Sequence, residues 1–168
     1  MIDFYSWLSG LIDGEGYFLI TKTKSKRSVS GYLYFPLFGI SLRSDDLKIL
    51  YKINNQTGLG KIYKKPRYGN DSKNANQAHS WIVSGVEQCM KLINILEDYP
   101  LQSKKHRDYV IWKTFTIAKA EHGRKTPESL CEYYFLSIKE IRKFNQVLVN
   151  GYELGLQSKE SPVLQGVI

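Results

Sequence analysis

The chain has 168 residues, the size of one modest domain or two very small ones, and a hydrophobic fraction of 42% that is enough for a real core. Its 24 Lys and Arg against 16 Asp and Glu leave a formal charge of +8, which favours a polyanionic partner, usually nucleic acid. Cys89 and Cys131, the two cysteines, lack metal-type spacing, which argues against a disulfide framework or structural zinc and fits a reducing compartment. No apolar run approaches the roughly 20 residues of a membrane span, so no membrane partner is expected. The N-terminus shows no signal-peptide or Arg-rich transit pattern; either the protein is made where it works or a leader lies outside this sequence.

Asp3 is an N-cap candidate for a first helix. Trp7, Leu8, Leu11 and Ile12 recur at helical spacing, while Ser6, Gly10 and Gly14 form a second side almost without side chains. A mid-helix Gly10 costs about 1 kcal/mol relative to Ala, and a close helix–helix contact is a compensating reason. Gly14 and Gly16 are expected to break the helix around Glu15, leaving that carboxylate at the helix end. A first strand is read over Glu15–Lys24, with Phe18 and Ile20 on one parity and Tyr17, Leu19, Thr21 and Thr23 on the other. Lys22, Lys24, Lys26 and Arg27 lead into a loop at Ser28–Gly31. Tyr32–Leu42 is a second strand, with Phe38, Ile40 and Leu42 opposite Gly39, Ser41 and Arg43.

Ser44–Asp46 reads as an N-cap with acidic first-turn residues, opening a helix stopped by Gly58 and Gly60. Lys61–Lys65 is a third strand with Lys61, Tyr63 and Lys65 on one parity. A polar loop over Pro66–Gln77, carrying Arg67, precedes a fourth strand at Ala78–Ser84, where Trp81 and Val83 oppose Ser80 and Ile82. A helix follows over about Val86–Leu96. A connector at Tyr99–Lys105 leads to a helix running to about Ala120, with Val110, Trp112, Phe115 and Ile117 available to the core. Gly123 breaks it, and Thr126 with Pro127 reads as the cap and first position of the last helix. One domain is expected over 1–150, with a mobile tail over 151–168. His79, His106 and His122 show no spacing for zinc or a nucleophile relay.

Taken alone, Asp-Gly-Glu-Gly describes an ordinary amphipathic helix closed by glycine. The full run Leu8-Ser-Gly-Leu-Ile-Asp-Gly-Glu-Gly16 is far more specific and resembles the signature of the LAGLIDADG homing endonucleases. Ser9 and Gly14 stand where that signature has Ala, and Glu15 replaces its second Asp. The stretches Phe38–Leu50, Gly58–Tyr63 and Tyr99–Trp112 also resemble the family, so the likeness reaches to about Lys119.

The resemblance implies an α+β fold, an αββαββα core with extra C-terminal helices, whose antiparallel β-saddle binds DNA. A single motif implies a homodimer. The interface is expected at Ser6, Trp7, Gly10, Leu11, Asp13 and Gly14, as one two-fold contact bringing two Glu15 carboxylates together. Glu15 and the Gly14 carbonyl are then expected to hold Mg²⁺ or Mn²⁺, with Lys104 as the lysine that neutralises charge near the phosphate. Asp13 is expected to be structural. Leu42 departs from members that place a water-holding Gln there; Arg43 or Ser44 are the candidates to take over that role. DNA-contact candidates from strand parity are Thr21, Thr23, Ser41, Arg43, Lys61, Tyr63, Lys65 and Ser80, flanked by Lys24, Lys26, Arg27 and Arg67. The implied activity is site-specific, metal-dependent double-strand cleavage of a long pseudo-palindromic DNA site, starting intron homing in an organelle (mitochondrion or chloroplast). The alternatives are an intron-RNA maturase and a catalytically dead DNA-binding regulator on the same fold.

Overall fold

The computed structural model describes residues 3–26, 28, 31–65 and 77–157. Its elements are α1 (Phe4–Glu15), β1 (Gly16–Lys24), β2 (Tyr32–Arg43), α2 (Leu47–Thr57), β3 (Lys61–Lys64), β4 (Ala78–Ser84), α3 (Val86–Asp98), α4 (Lys105–His122) and α5 (Glu128–Gln157). The strands form one antiparallel sheet in the order β1-β2-β4-β3. Cross-strand partners run from Gly16↔Ile40 to Lys24↔Tyr32, from Leu37↔Ser84 to Arg43↔Ala78, and from Lys61↔Ile82 to Lys64↔His79.

Because side chains alternate across a strand, this register sorts the sheet into two faces. Phe18, Ile20, Phe38, Ile40, Trp81 and Val83 share one face and are all buried. Phe18 lies 4.9 Å from Phe38 and 5.2 Å from Trp112, and Phe38 lies 5.8 Å from Trp81, ring centre to ring centre. This aromatic row joins three strands to α4. Leu8 and Ile12 of α1, Leu50 and Ile53 of α2, and Leu92 and Leu96 of α3 complete the same core. The helices therefore cover one face of the sheet only.

Several elements form for the reasons read locally. The Asp3 carboxylate accepts from the Ser6 amide at 2.8 Å and caps α1. Gly58 closes α2 in the left-handed region, at φ 65°. Gly60 follows at φ 71°, and a Cβ there would stand 2.5 Å from the Ile82 carbonyl oxygen and 2.7 Å from Trp81 Nε1. That indole donates to the Leu59 carbonyl at 2.7 Å. Gly60→Ala is therefore expected to destabilise the fold by about 3 kcal/mol, from backbone strain plus a clash that no flexible side chain absorbs. Urea unfolding of the variant beside the wild type measures it.

Other expectations are corrected. The helix does not break at Gly14: α1 runs through Glu15, and the strand starts at Gly16. The backbone turns extended at Gly16, where no side chain fits: a Cβ there would meet the Ile12 carbonyl at 2.7 Å and the Phe38 ring at 3.1 Å. Ser44 is not a helix cap. Residues Ser44–Asp46 form a 3-10 turn, and the Ser44 hydroxyl donates to the Gln77 carbonyl at 2.7 Å, clipping β2 to the start of β4. Thr126 does not cap α5 either, since its hydroxyl donates back to Gly123 at 2.8 Å; the first helical bond goes to the Pro127 carbonyl. Val110 is exposed, and Tyr109 and Thr116 take the core-facing places of α4 with Trp112 and Phe115. The last helix continues past Gly151 to Gln157.

Candidate functional site: the end of the first helix and the open sheet face

A helix ends with carbonyls that have no partner of their own, and a negative side chain there is unfavourable. The first helix ends with two acids, Asp13 and Glu15, so its last turn needs help from elsewhere. The connector before α4 supplies it. Both Asp13 oxygens accept backbone amides, from Gln102 at 2.7 Å and Ser103 at 3.1 Å. Ser9, buried on the same helix, donates to the Tyr99 carbonyl at 2.9 Å. The Lys105 ammonium donates to the Gly14 carbonyl at 2.5 Å and to the Ile12 carbonyl at 3.3 Å, capping the helix.

Charges at this end act on one another. Burial pushes the Asp13 carboxyl up, but the Gln102 and Ser103 amides, the Ser103 hydroxyl and Lys105 outweigh it, so the group sits below the usual carboxylate range. Burial pushes the Lys105 ammonium down, against the pull of Glu15, Asp13 and Asp108, and it sits below the ordinary lysine value. Glu15 itself is exposed.

The Asp13 shift has a stability consequence. Its folded pKa lies below the unfolded value of about 3.9, so its stabilisation is fully present above that value and lost as pH falls through the folded one. Asp13→Asn leaves one connector amide without its acceptor. A loss of about 1–2 kcal/mol at pH 7, closing as pH falls through the folded pKa of Asp13, is expected from thermal unfolding across pH.

The expected site residues divide among several places. Gly14 and Glu15 share the helix end with Lys105. Lys104, the lysine singled out by sequence, is exposed at the cap position of α4, and the ammonium bonded to the helix end belongs to its neighbour. Ser6, Gly10 and Gly14 form an exposed strip, with no atom within 4 Å of a Cβ built on either glycine. Trp7 and Leu11 flank it, half-buried; the Lys52 ammonium lies 4.7 Å from the Trp7 ring. Asp13 belongs to the scaffold within the chain.

Thr21, Thr23, Ser41, Arg43, Lys61, Tyr63 and Ser80 all fall on the uncovered face, as parity predicted, and Lys65 follows the third strand by one residue. Their capacities differ from that expectation. Ser80 is only 3% exposed and shares a 2.8 Å hydrogen bond with Ser41. The Thr21 hydroxyl donates to the Phe35 carbonyl, and Arg43 pairs with Asp45 at 2.9 Å. Tyr63 is 53% exposed, and Lys24, Lys26, Lys61 and Lys65 are exposed. Arg27 and Arg67 lie outside the described residues. Leu42 packs against the core from the helix-covered side. Ser44, a candidate for its missing polar role, is engaged with Gln77 and lies 3.2 Å from His79 Nδ1.

Sequence reasoning passed over two features. Lys105 was hidden by its twin at 104. The apolar residues of the uncovered face, Tyr17, Leu19, Leu33, Phe35, Leu37 and Ile82, carry no polar group, the Tyr17 phenol aside, that marks them in the sequence as DNA contacts.

Among the described residues, no three His, Cys, Asp or Glu side chains cluster as a metal site. The helix end offers oxygen donors only, the Glu15 carboxylate and the Gly14 carbonyl. The Gly14 carbonyl takes the Lys105 ammonium at 2.5 Å, a contact that a metal ion on this oxygen would have to share. Hard oxygen donors in this small number fit Mg²⁺ or Mn²⁺ sharing its shell with water and phosphate.

Residues 8–116 match the sequence model of the LAGLIDADG endonuclease family. Over 123 residues the chain is 30% identical to an uncharacterized 50.9 kDa protein in ND4 intron 1 of Podospora anserina, covering 71% of this chain and 25% of that protein. Over 151 residues it is 29% identical to a probable intron-encoded endonuclease, Cox1-I1b, of Schizosaccharomyces pombe, covering 89% and 37%. The chain thus spans well under half the length of these relatives. Among solved structures, the homing endonuclease I-TnaI superposes with a TM-score of 0.66 at 23% identity, covering 84% of this chain and 86% of that one. I-SmaMI bound to an uncleaved DNA target with calcium ions gives 0.66 at 23% identity, covering 83% and 44%. At that identity the likeness is one of fold.

Proposed function

This chain belongs to the LAGLIDADG endonuclease family, and on that premise we propose that it is a homodimeric, divalent-metal-dependent endonuclease that cuts double-stranded DNA at a specific site. The observation that carries the reading is the junction at Glu15. The helix ends on an exposed carboxylate, and the next residue begins a strand of the uncovered, cation-fringed sheet face. A duplex lying on that face would pass beside the acid. An antiparallel ribbon fits the major groove, and lysines along the fringe would meet phosphates.

One chain brings a single such acid to this end. The strip of Ser6, Gly10 and Gly14 lets a second motif helix approach closely, and a two-fold contact there would bring in a second Glu15. Glu15 and the Gly14 carbonyl would hold Mg²⁺ or Mn²⁺, which when bound polarises the phosphate and makes water a stronger nucleophile. In the hydrolysis, water adds to phosphorus and the bond to one deoxyribose oxygen breaks. Lys105 holds the helix end in place and supplies positive charge beside the carboxylate, so the contact favours it over Lys104 as the charge-neutralising lysine. By analogy with its intron-encoded relatives, the protein acts in an organelle and starts intron homing.

Cleavage of a randomised duplex library with Mg²⁺ tests the reading. One enriched, roughly two-fold-symmetric site cut in both strands is the expected result. Selection of a duplex without cutting would move the chain to the regulators, and selective binding of intron RNA alone would move it to the maturases.

A further inference from the structure

The uncovered sheet face is not uniformly polar. On its β1–β2 half, Leu19 stands opposite Leu37, Thr21 opposite Phe35, and Thr23 opposite Leu33. The Tyr17 phenol lies across Gly39, within 2.5 Å of where a Cβ would stand, and Ile82 closes on the same glycine from β4 at 2.8 Å. Phe35 is 42% exposed, and none of these six apolar residues belongs to the core cluster or packs against it. A contiguous apolar strip on an open sheet face calls for an occupant.

Two observations identify it. Lysines at 24, 26, 61 and 65 fringe the face, all exposed. A second copy laid face to face would bring like charges together, whereas a polyanion complements them. Along the strip the Thr21 hydroxyl is already given to the Phe35 carbonyl at 3.2 Å, which leaves the exposed Thr23, opposite Leu33, as its one threonine hydroxyl without such a bond. A groove contact made by Leu19, Leu37 and Phe35 is apolar, and in the major groove the thymine 5-methyl is the apolar group that carries sequence information.

We infer that the β1–β2 half of the sheet reads thymine methyls, through Leu19, Leu33, Phe35 and Leu37, while hydrogen-bonding readout falls to Thr23 at the end of the strip and to the β3–β4 side around Tyr63 and Lys61. The inference rests on the DNA-endonuclease reading and specifies its target: each half-site carries thymines beneath the first hairpin.

Deoxyuridine is the test, because it removes the methyl and nothing else. The wild-type chain is bound to its selected duplex, then to the same duplex with thymines replaced by deoxyuridine, and affinity is read by fluorescence anisotropy. About fourfold weaker binding is expected for each contacted thymine, the weight of one methyl taken from water. The triple variant Leu19→Ser, Phe35→Ser, Leu37→Ser should bind the two duplexes equally at those positions. Equal wild-type affinity for both duplexes overturns the inference while leaving the endonuclease reading intact. So does a thymine preference that survives in the triple variant. A triple variant that changes the sedimentation of DNA-free protein would make the face a contact between copies and also overturn it. If no duplex is selected, the endonuclease reading fails and takes this inference with it.

Discussion

Glu15→Gln is expected to lower DNA cleavage by about three orders of magnitude or more, while target affinity stays within about threefold. The substitution keeps the shape of the side chain and removes its charge, so on the proposed reading it withdraws a cation ligand while the Asp13 and Lys105 hydrogen bonds to the helix end remain. The side chain is exposed, and no neighbour depends on it for packing. Its charge lies at the negative end of α1, where an acid is unfavourable by a few tenths of a kcal/mol or more. Stability should therefore hold or rise slightly as activity disappears, a combination that marks a residue kept for chemistry. Cleavage rates with Mg²⁺, binding without it, and thermal unfolding read the three quantities separately. Cutting at the wild-type rate by Glu15→Gln would place the metal elsewhere.

Lys105→Met should reduce cleavage by about 10²–10³-fold, and Lys104→Met by no more than about threefold. Methionine keeps the aliphatic stem, so the comparison isolates the ammonium. At 105 that ammonium bonds the Gly14 and Ile12 carbonyls beside Glu15. Its loss leaves the last carbonyls of α1 without this donor, and a cost of about 1–2 kcal/mol accompanies the loss of activity. Lys104 is solvated, and its removal should weaken DNA binding mainly at low salt. The reverse ranking, with Lys104→Met inactive and Lys105→Met active, would return the catalytic assignment to Lys104. A Lys105 variant that unfolds before it can be tested is answered by Lys105→Arg, which keeps the charge and the cap; its planar fork should restore stability more completely than rate.

What was legible from residues alone follows a physical division. Strand parity put Thr21, Thr23, Ser41, Arg43, Lys61 and Tyr63 on one face because pleating is local, and the register in the sheet preserves it. Asp3 capped its helix because the acceptor and the amide lie three residues apart. The motif run carried the family and the place of Glu15. Parity likewise put Tyr17 and Leu19 with Thr21 and Thr23, opposite Phe18 and Ile20, but only the one-sided cover of helices shows which of the two apolar faces stays open.

The choice between Lys104 and Lys105 could not be made along the chain. Neighbouring residues on a helix point about 100° apart, and which one meets α1 depends on how the connector docks. Asp13 sets that docking by taking the amides of Gln102 and Ser103, residues some ninety positions away. Ser44 was misjudged on the same ground, since the Gln77 carbonyl competes for its hydroxyl and is distant in sequence. Sequence was sufficient for this protein's elements, faces and acidic helix end, because propensity, alternation and capping act within a few residues. Folding in three dimensions assigned the partners of each polar group, because a hydrogen bond goes to whichever acceptor packing brings within 3 Å.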